Sequence, residues 1–133
     1  MTDFAITSRV TRADHVDMVL EHYTNAAITT GNQKKEWVIP FYYRILDVIV
    51  DSETAGQTGG TSDIIDVNIN GTTVYTTQAN RPTLLLADTG MWTETGEPEV
   101  NTGGPGDIIS YDIDQICTTG SARVKVTILL GMR

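Results

Sequence analysis

Apolar and polar positions alternate with a period of two along most of this chain, most plainly in Ile64–Tyr75. Asn70-Gly71 supplies the two consecutive positive-φ positions that a two-residue type I′ loop requires. With that pair as the loop, Ile69 faces Thr72, Val67 faces Val74 and Ile65 faces Thr76, all on one side of the ribbon. Asp66, Asn68, Thr73 and Tyr75 take the other side. A slip of one residue exchanges the two faces, so the register is specified. The expected product is a half-buried antiparallel hairpin.

The same pattern recurs elsewhere. In residues 35–51, Trp37, Ile39 and Phe41 alternate in one phase and Leu46, Val48 and Val50 in the other. The phase change across Tyr42-Tyr43-Arg44 predicts a turn, bulge or bend there. Pro40 places that part at a sheet edge or beside a bulge. In this reading Ile45 and Ile49 share an outer face with Asp47 and Asp51, covered by the N-terminal segment or by another subunit. Thr83–Leu86 reads as a short buried strand, following a proline that keeps Arg81 extended. Ile109, Tyr111 and Ile113 form one face of a later strand, and Val124, Val126, Ile128 and Leu130 the inward face of the last. Asp112 and Asp114 would reach Arg123 and Lys125 if those two strands pair. Between 87 and 106 no periodicity is visible. A loop of that length is uncommon within a compact domain, and this one carries Met91, Trp92, three glutamates and the turn Gly103-Gly104-Pro105-Gly106.

Residues 1–34 read differently. Thr11-x-x-Asp14 resembles a capping box, and Ala13, Val16, Leu20 and Tyr23, with Val19 beside them, share a helical face. The segment is expected either as a short helix or strand packed on its own domain, or as an arm laid on a neighbouring subunit. The rest, 35–133, holds six to eight short strands separated by turn signals. That argues an all-β antiparallel β-sandwich, most simply a jelly roll, with an N-terminal arm or short helix. Its expected core is Trp37, Ile39, Leu46, Val48, Ile65, Val67, Val74, Leu85, Tyr111, Val126 and Ile128.

Composition narrows the function. The chain has 133 residues, 40 % of them hydrophobic, which suits one domain with a real core. No apolar run approaches the roughly 20 residues of a membrane span, and Met1–Phe4 does not begin a signal peptide. Cys117 is the lone cysteine, so neither an intrachain disulfide nor a cysteine-rich zinc site is available. The net charge is −8. Residues 1–35 balance four acids against four bases, so the whole excess lies in the remainder. Such a body repels phosphate backbones and anionic lipid, which argues against nucleic-acid and membrane partners.

Candidate chemistry is sparse. There is no Gly-x-Ser-x-Gly elbow, and Gly103–Gly106 lacks the lysine and helix of a phosphate loop. His15 and His22 have no acid at ligand spacing and read as surface or packing residues. Asp112-x-Asp114 lacks the spacing of an EF-hand. Cys117 reads as a structural thiol, and Asn70-Gly71-Thr72 as turn geometry rather than a glycosylation site. No catalytic residue, cofactor or metal is expected, and the chain is read as not an enzyme. Exposed, Trp92 would anchor a partner.

Several stretches carry a family resemblance: Trp37-Val38-Ile39-Pro40-Phe41, the strand Ile45–Val50, Asp66–Thr83 with its Asn-Gly-Thr and Gln-Ala-Asn-Arg-Pro segments, Gly106-Asp107-Ile108, and Asp112-x-Asp114-Gln115. Together they resemble a β-sandwich module of tailed-bacteriophage structural proteins, found in capsid decoration (cement) proteins, head fibres and tail-associated proteins. The similarity covers about residues 36–130, and leaves residues 1–35 and the 87–106 loop outside the pattern. It implies a virion protein, assembled in the host cytoplasm, that binds the outer capsid surface and bridges capsomers. Its implied partners are the major capsid protein and itself, as homodimer or homotrimer. The near-neutral N-terminal segment with Arg9 and Arg12 is the expected capsid-facing side. The candidate interface comprises Arg9, Arg12, Val16, Leu20, Tyr23, Ile45, Ile49, Met91 and Trp92. The alternative is a carbohydrate- or receptor-binding module of a head fibre or tail, with Tyr42, Tyr43 and Trp92 as glycan contacts.

Overall fold

A computed structural model describes residues 15–54, 62–84, 92–117 and 121–133. Within them are ten strands: β1 (Met18–Thr24), β2 (Gly31–Val38), β3 (Tyr43–Thr54), β4 (Asp63–Ile69), β5 (Thr72–Thr73), β6 (Thr83–Leu84), β7 (Trp92–Glu94), β8 (Thr102–Gly103), β9 (Ile108–Gln115) and β10 (Ala122–Met132). A single 3₁₀ turn at Gln78–Asn80 accompanies them. Among the described residues no helix is long and apolar enough to cross a membrane.

The pairing is nested. β1 pairs with β10, β2 with β9, β3 with β7 and β8, and β4 with β5 and β6, every pair antiparallel. The first half of the chain thus forms a ribbon with the second. Contacts of β10 with β3 and of β9 with β4 roll that ribbon into two sheets, ordered β1-β10-β3-β7 and β2-β9-β4-β5. This is the jelly-roll arrangement of an all-β sandwich. The core lies between the sheets and contains Ile39, Val48, Ile65, Val67, Val74, Tyr111, Val126 and Ile128 as expected, together with Val50. Trp37 is half-buried against it, and Leu85 lies outside the described residues.

The hairpin has the expected turn, with φ of 51° at Asn70 and 83° at Gly71. Ile69 pairs with Thr72 and Asn68 with Thr73, and Val74 N–H donates to Val67 O at 2.9 Å. The ladder then stops, because Thr73 Oγ1 accepts from the Tyr75 N–H and turns the chain. Val74 and Tyr75 are consequently both buried. Tyr75 therefore departs from the strict alternation expected of it.

Several expectations are sharpened or corrected. Residues 18–24 form a strand, one of the two forms expected for a segment packed on its own domain, and the short helix falls. Leu20, His22 and Thr24 lie opposite Ile128, Val126 and Val124 of β10, so pairing overrides a spacing that a helix would also accept. The phase change in β3 occurs at Leu46 rather than across Tyr42–Arg44. Leu130 pairs with Ile45 while Leu129 pairs with Asp47, leaving Leu46 as a bulged extra residue. Tyr43 and Ile45 consequently point into the core ahead of the bulge, Val48 and Val50 behind it, and Leu46 is only half-buried. Pro40 belongs to the connection between β2 and β3, where the chain crosses from one sheet to the other. Finally, β9 and β10 lie in different sheets, so Asp112 and Asp114 do not meet Arg123 and Lys125. Lys125 pairs with Glu21 and Arg123 with Glu53, while Asp114 binds Arg81. The described part of the 87–106 loop is also partly ordered into β7 and β8, both paired with β3.

Candidate interaction surface

Alternation in the β1-β10-β3 sheet sends one set of side chains inward and leaves the other on its outer face. Three rows follow from the register: Val19, Leu129 and Asp47; Glu21, Thr127 and Ile49; Tyr23, Lys125 and Asp51. Val19 is 52 % and Tyr23 47 % exposed, with Leu129 and Ile49 half-buried between them. Val16, 40 % exposed, lies just ahead of β1. The strip is an apolar band crossed by the Lys125–Glu21 pair at 3.7 Å. It ends at β1, which terminates its sheet. An uninterrupted seven-residue edge strand with exposed valine and tyrosine lacks the lysines, prolines, bulges or shortness that protect natural edges. This band and its edge can take up another protein surface.

Of the predicted interface residues, the structure brings Tyr23 and Ile49 to this face, and Val16 is exposed just ahead of β1. Leu20 and Ile45 are corrected: both point into the core, 5 % and 0 % exposed. Arg9, Arg12 and Met91 lie outside the described residues. Trp92 contributes backbone to β7, opposite Asp51. The glycan platform is not assembled as predicted. Tyr42 is exposed, but Tyr43 is buried and donates its hydroxyl to Asp107 Oδ2 at 3.0 Å. Burial and the Asp107 carboxylate both push the Tyr43 pKa up. Sequence reasoning missed Val19 as an interface residue and Leu129 altogether. The edge position of β1, which exposes Val19, follows from topology and has no local signal.

The outer face of the other sheet is polar and closed. Asp66, Asp112 and Asp114 bring one carboxylate oxygen each within 4.8 Å of one another. Their acceptors are met by protein donors. Thr73 Oγ1 donates to Asp66 Oδ1 at 2.6 Å, Gln33 N–H and Asn68 Nδ2 donate to the two oxygens of Asp112, and Arg81 Nη1 lies 2.6 Å from Asp114 Oδ2. Burial is the main cause that raises the Asp66 pKa; Thr73 opposes it, and the neighbouring carboxylates of Asp114 and Asp112 add to it. The trio is the group of described residues that could hold a cation, and the network already accounts for its geometry.

Other polar groups have structural roles. Asp63 is buried and accepts from the Cys117 N–H, the Ser121 N–H and the Ser121 hydroxyl, tying the start of β4 to the β9–β10 connection. His22 Nδ1 lies 2.6 Å from the Tyr111 hydroxyl, and burial followed by Lys35 holds its pKa below the ordinary value. A cleft of about 350 Å³ opens at the far edge, lined by Tyr75, Arg81, Glu94, Glu97 and Glu99 among others. No described buried side-chain polar atom lacks a hydrogen-bond partner.

No family model matches the chain. No curated protein matches it either. Among solved structures it is similar to a chain of the cyanophage Pam1 capsid asymmetric unit, with 20 % sequence identity and a TM-score of 0.46, over 86 % of this chain and 85 % of that one.

Proposed function

We propose that this chain is a structural, non-enzymatic virion protein of a tailed bacteriophage that binds the outer capsid surface and bridges capsomers. The observation that carries this reading is the apolar band of exposed Val19 and Tyr23 and half-buried Ile49 and Leu129, running to β1 at the end of its sheet. A docking surface of this kind suits a cladding protein, and the sequence resemblance to phage decoration modules supplies the shell as partner. Each contact can be modest, because many copies engage one particle and strengthen it through multivalency.

The test is reconstitution. Shells of the host phage, stripped of this protein, are incubated with the purified chain and heated. Bound wild-type chain is expected to raise the rupture temperature, and Val19→Asp/Tyr23→Asp, folded to the same extent, to leave shells bare. Failure of the wild-type chain to bind sinks the reading. The N-terminal contribution is measured by removing residues 1–14. Removal of 1–30 would also take away β1, and with it Leu20 and Ile28 of the core.

A further inference from the structure

The end strand β1 is fastened to the opposite sheet through a titratable side chain. His22 shares the inward face of β1 with Leu20 and Thr24, opposite Val126 of β10. Its Nδ1 lies 2.6 Å from the hydroxyl of Tyr111, which β9 contributes from the other sheet. The two rings are tilted at 50° with centroids 5.7 Å apart, and Trp37 of β2 stacks with Tyr111 at 6.4 Å. Three rings thus link β1 to β2, the strands that end the two sheets. A cavity of about 100 Å³ lies beside His22, lined by Ile28, Thr29, Lys34 and Ile113 among others.

The charged groups on this side of His22 are cations. Lys34 lines the cavity, with its ammonium 3.2 Å from Thr29 Oγ1, and Lys35 stands opposite Tyr111 in the register. The acids of the same strands turn elsewhere. Glu21 pairs with Lys125 on the outer face, Glu36 is aligned with Ser110, and Asp112 accepts from Gln33 and Asn68. Burial lifts the Tyr111 phenol above its ordinary range, so it stays neutral. Burial first, and Lys35 second, make His22 hold a proton less tightly than usual, and no described carboxylate opposes them.

We propose that His22 is an acid-sensitive latch: neutral, it holds β1 onto the sandwich through Tyr111, and protonated, it lets β1 open locally. The proton comes from solvent. Neutral imidazole can accept the Tyr111 hydroxyl proton at Nδ1, whereas imidazolium carries a hydrogen on each nitrogen and cannot. β1 is paired on one side, to β10, so it can open without breaking another strand pair. Because folded His22 binds its proton less tightly than an unfolded histidine, the latch is fully closed above pH 6.5. It weakens as the pH falls from 6.5 toward the folded value. The inference rests on the fold and stands apart from the capsid reading.

Amide hydrogen exchange of the full chain, corrected for intrinsic rates, tests it by following β1 and β4 at about pH 7.5 and about pH 5. Protection of β1 is expected to fall several-fold at the lower pH, by at most about tenfold per pH unit, relative to β4. His22→Asn, which leaves an acceptor near the place of Nδ1, and His22→Phe, which leaves a ring, are each expected to show no such fall. Lys34→Gln/Lys35→Gln should lessen it, and His15→Gln, beside Asp17, should leave it intact. Titration of the wild-type histidine resonances gives a second readout, with His22 expected below the ordinary 6.5. The proposal is overturned by β1 protection that tracks β4 between the two pH values, or by a His22 that titrates at 6.5 or above. A fall that persists in a folded His22 variant, or that disappears with His15→Gln, overturns it as well.

Discussion

The outer face of the β1-β10-β3 sheet presents Val19 and Tyr23 exposed, with Ile49 and Leu129 half-buried between them. The outer face of the β2-β9-β4 sheet presents Asp66, Asn68, Ser110 and Asp112, and three of these four are buried. Both faces come from the same period-two alternation. They differ in their connections. Gln33 and Arg81, from the β2 segment and the turn after β5, fold over the second face and donate to Asp112 and Asp114. Among the described residues the first face receives less: the Gly96 N–H donates to Asp47 beside β7, and β1 stands at the other end of the sheet. The polar face therefore satisfies its own donors and acceptors, whereas Val19 and Tyr23 on the apolar one stay exposed among the described residues. Alternation decides which side of a sheet a residue takes; the loops decide whether that side is wet.

The comparison is broken most severely at β3, where the Leu46 bulge sorts Ile45 into the core and Ile49 onto the open face. Ile45→Ala should cost about 2–5 kcal/mol, as for other fully buried isoleucines. Ile49→Ala, half-buried, should cost about 1 kcal/mol or less by urea denaturation. Equal losses would show that the bulge does not divide the two environments. On the polar face, Arg81→Ala removes the guanidinium from three clustered carboxylates and from the Gln78 carbonyl. A loss of about 1–3 kcal/mol is expected, larger than for an exposed ion pair because Asp66 is left buried among like charges. A loss indistinguishable from zero would mean the roof over this face contributes nothing.

Asp66 gives a smaller effect of opposite sign. Burial raises its pKa above the ordinary 3.8, so the folded chain binds this proton more tightly than the unfolded one. Ionised Asp66 thus costs stability at every pH above its folded value, and the cost is relieved as the pH falls through that value toward 3.8. Asp66→Asn keeps an acceptor for the Thr73 hydroxyl and carries no charge. It should stabilise the fold at pH 7 by under about 1 kcal/mol, and the gain should vanish near pH 4. A variant less stable than wild type at pH 7 would show that the carboxylate is needed for its hydrogen bonds.

Much of this was legible in the sequence. The Asn70-Gly71 turn, the inward sets of β4, β9 and β10, and the sandwich class follow from local chemistry and period. The bulge at Leu46 was not, because Leu46, Val48 and Val50 alternate as well as Ile45, Val48 and Val50 do once one residue is skipped. β1 was ambiguous because Val16, Leu20 and Tyr23 satisfy helical spacing, and only β10 opposite them decides. The buried face of Asp66 and Asn68 was unreadable, since its cover comes from Gln33 and Arg81, far away in sequence. Of the residues read as a candidate surface, Tyr23 and Ile49 lie on the outer face, while Leu20 and Ile45 are turned inward by strand pairing and the bulge.

The smallest expected effect sharpens the comparison most. Val19→Ser and Tyr23→Ser lie on the uncovered face, where neither side chain fills a cavity in the described chain. The loss of Tyr23 removes only a hydrogen bond of 3.3 Å to Asn25. Each should change stability by no more than about 0.5 kcal/mol, the range of ordinary surface substitutions. A matching polar-to-apolar change on the other face, Asn68→Leu, should instead destabilise by about 1–3 kcal/mol, because half-buried Asp112 would lose the Nδ2 donor to its Oδ2. If Val19→Ser costs as much as Asn68→Leu, the first face is covered within the chain, and its apolar band is part of the fold rather than a surface for a partner.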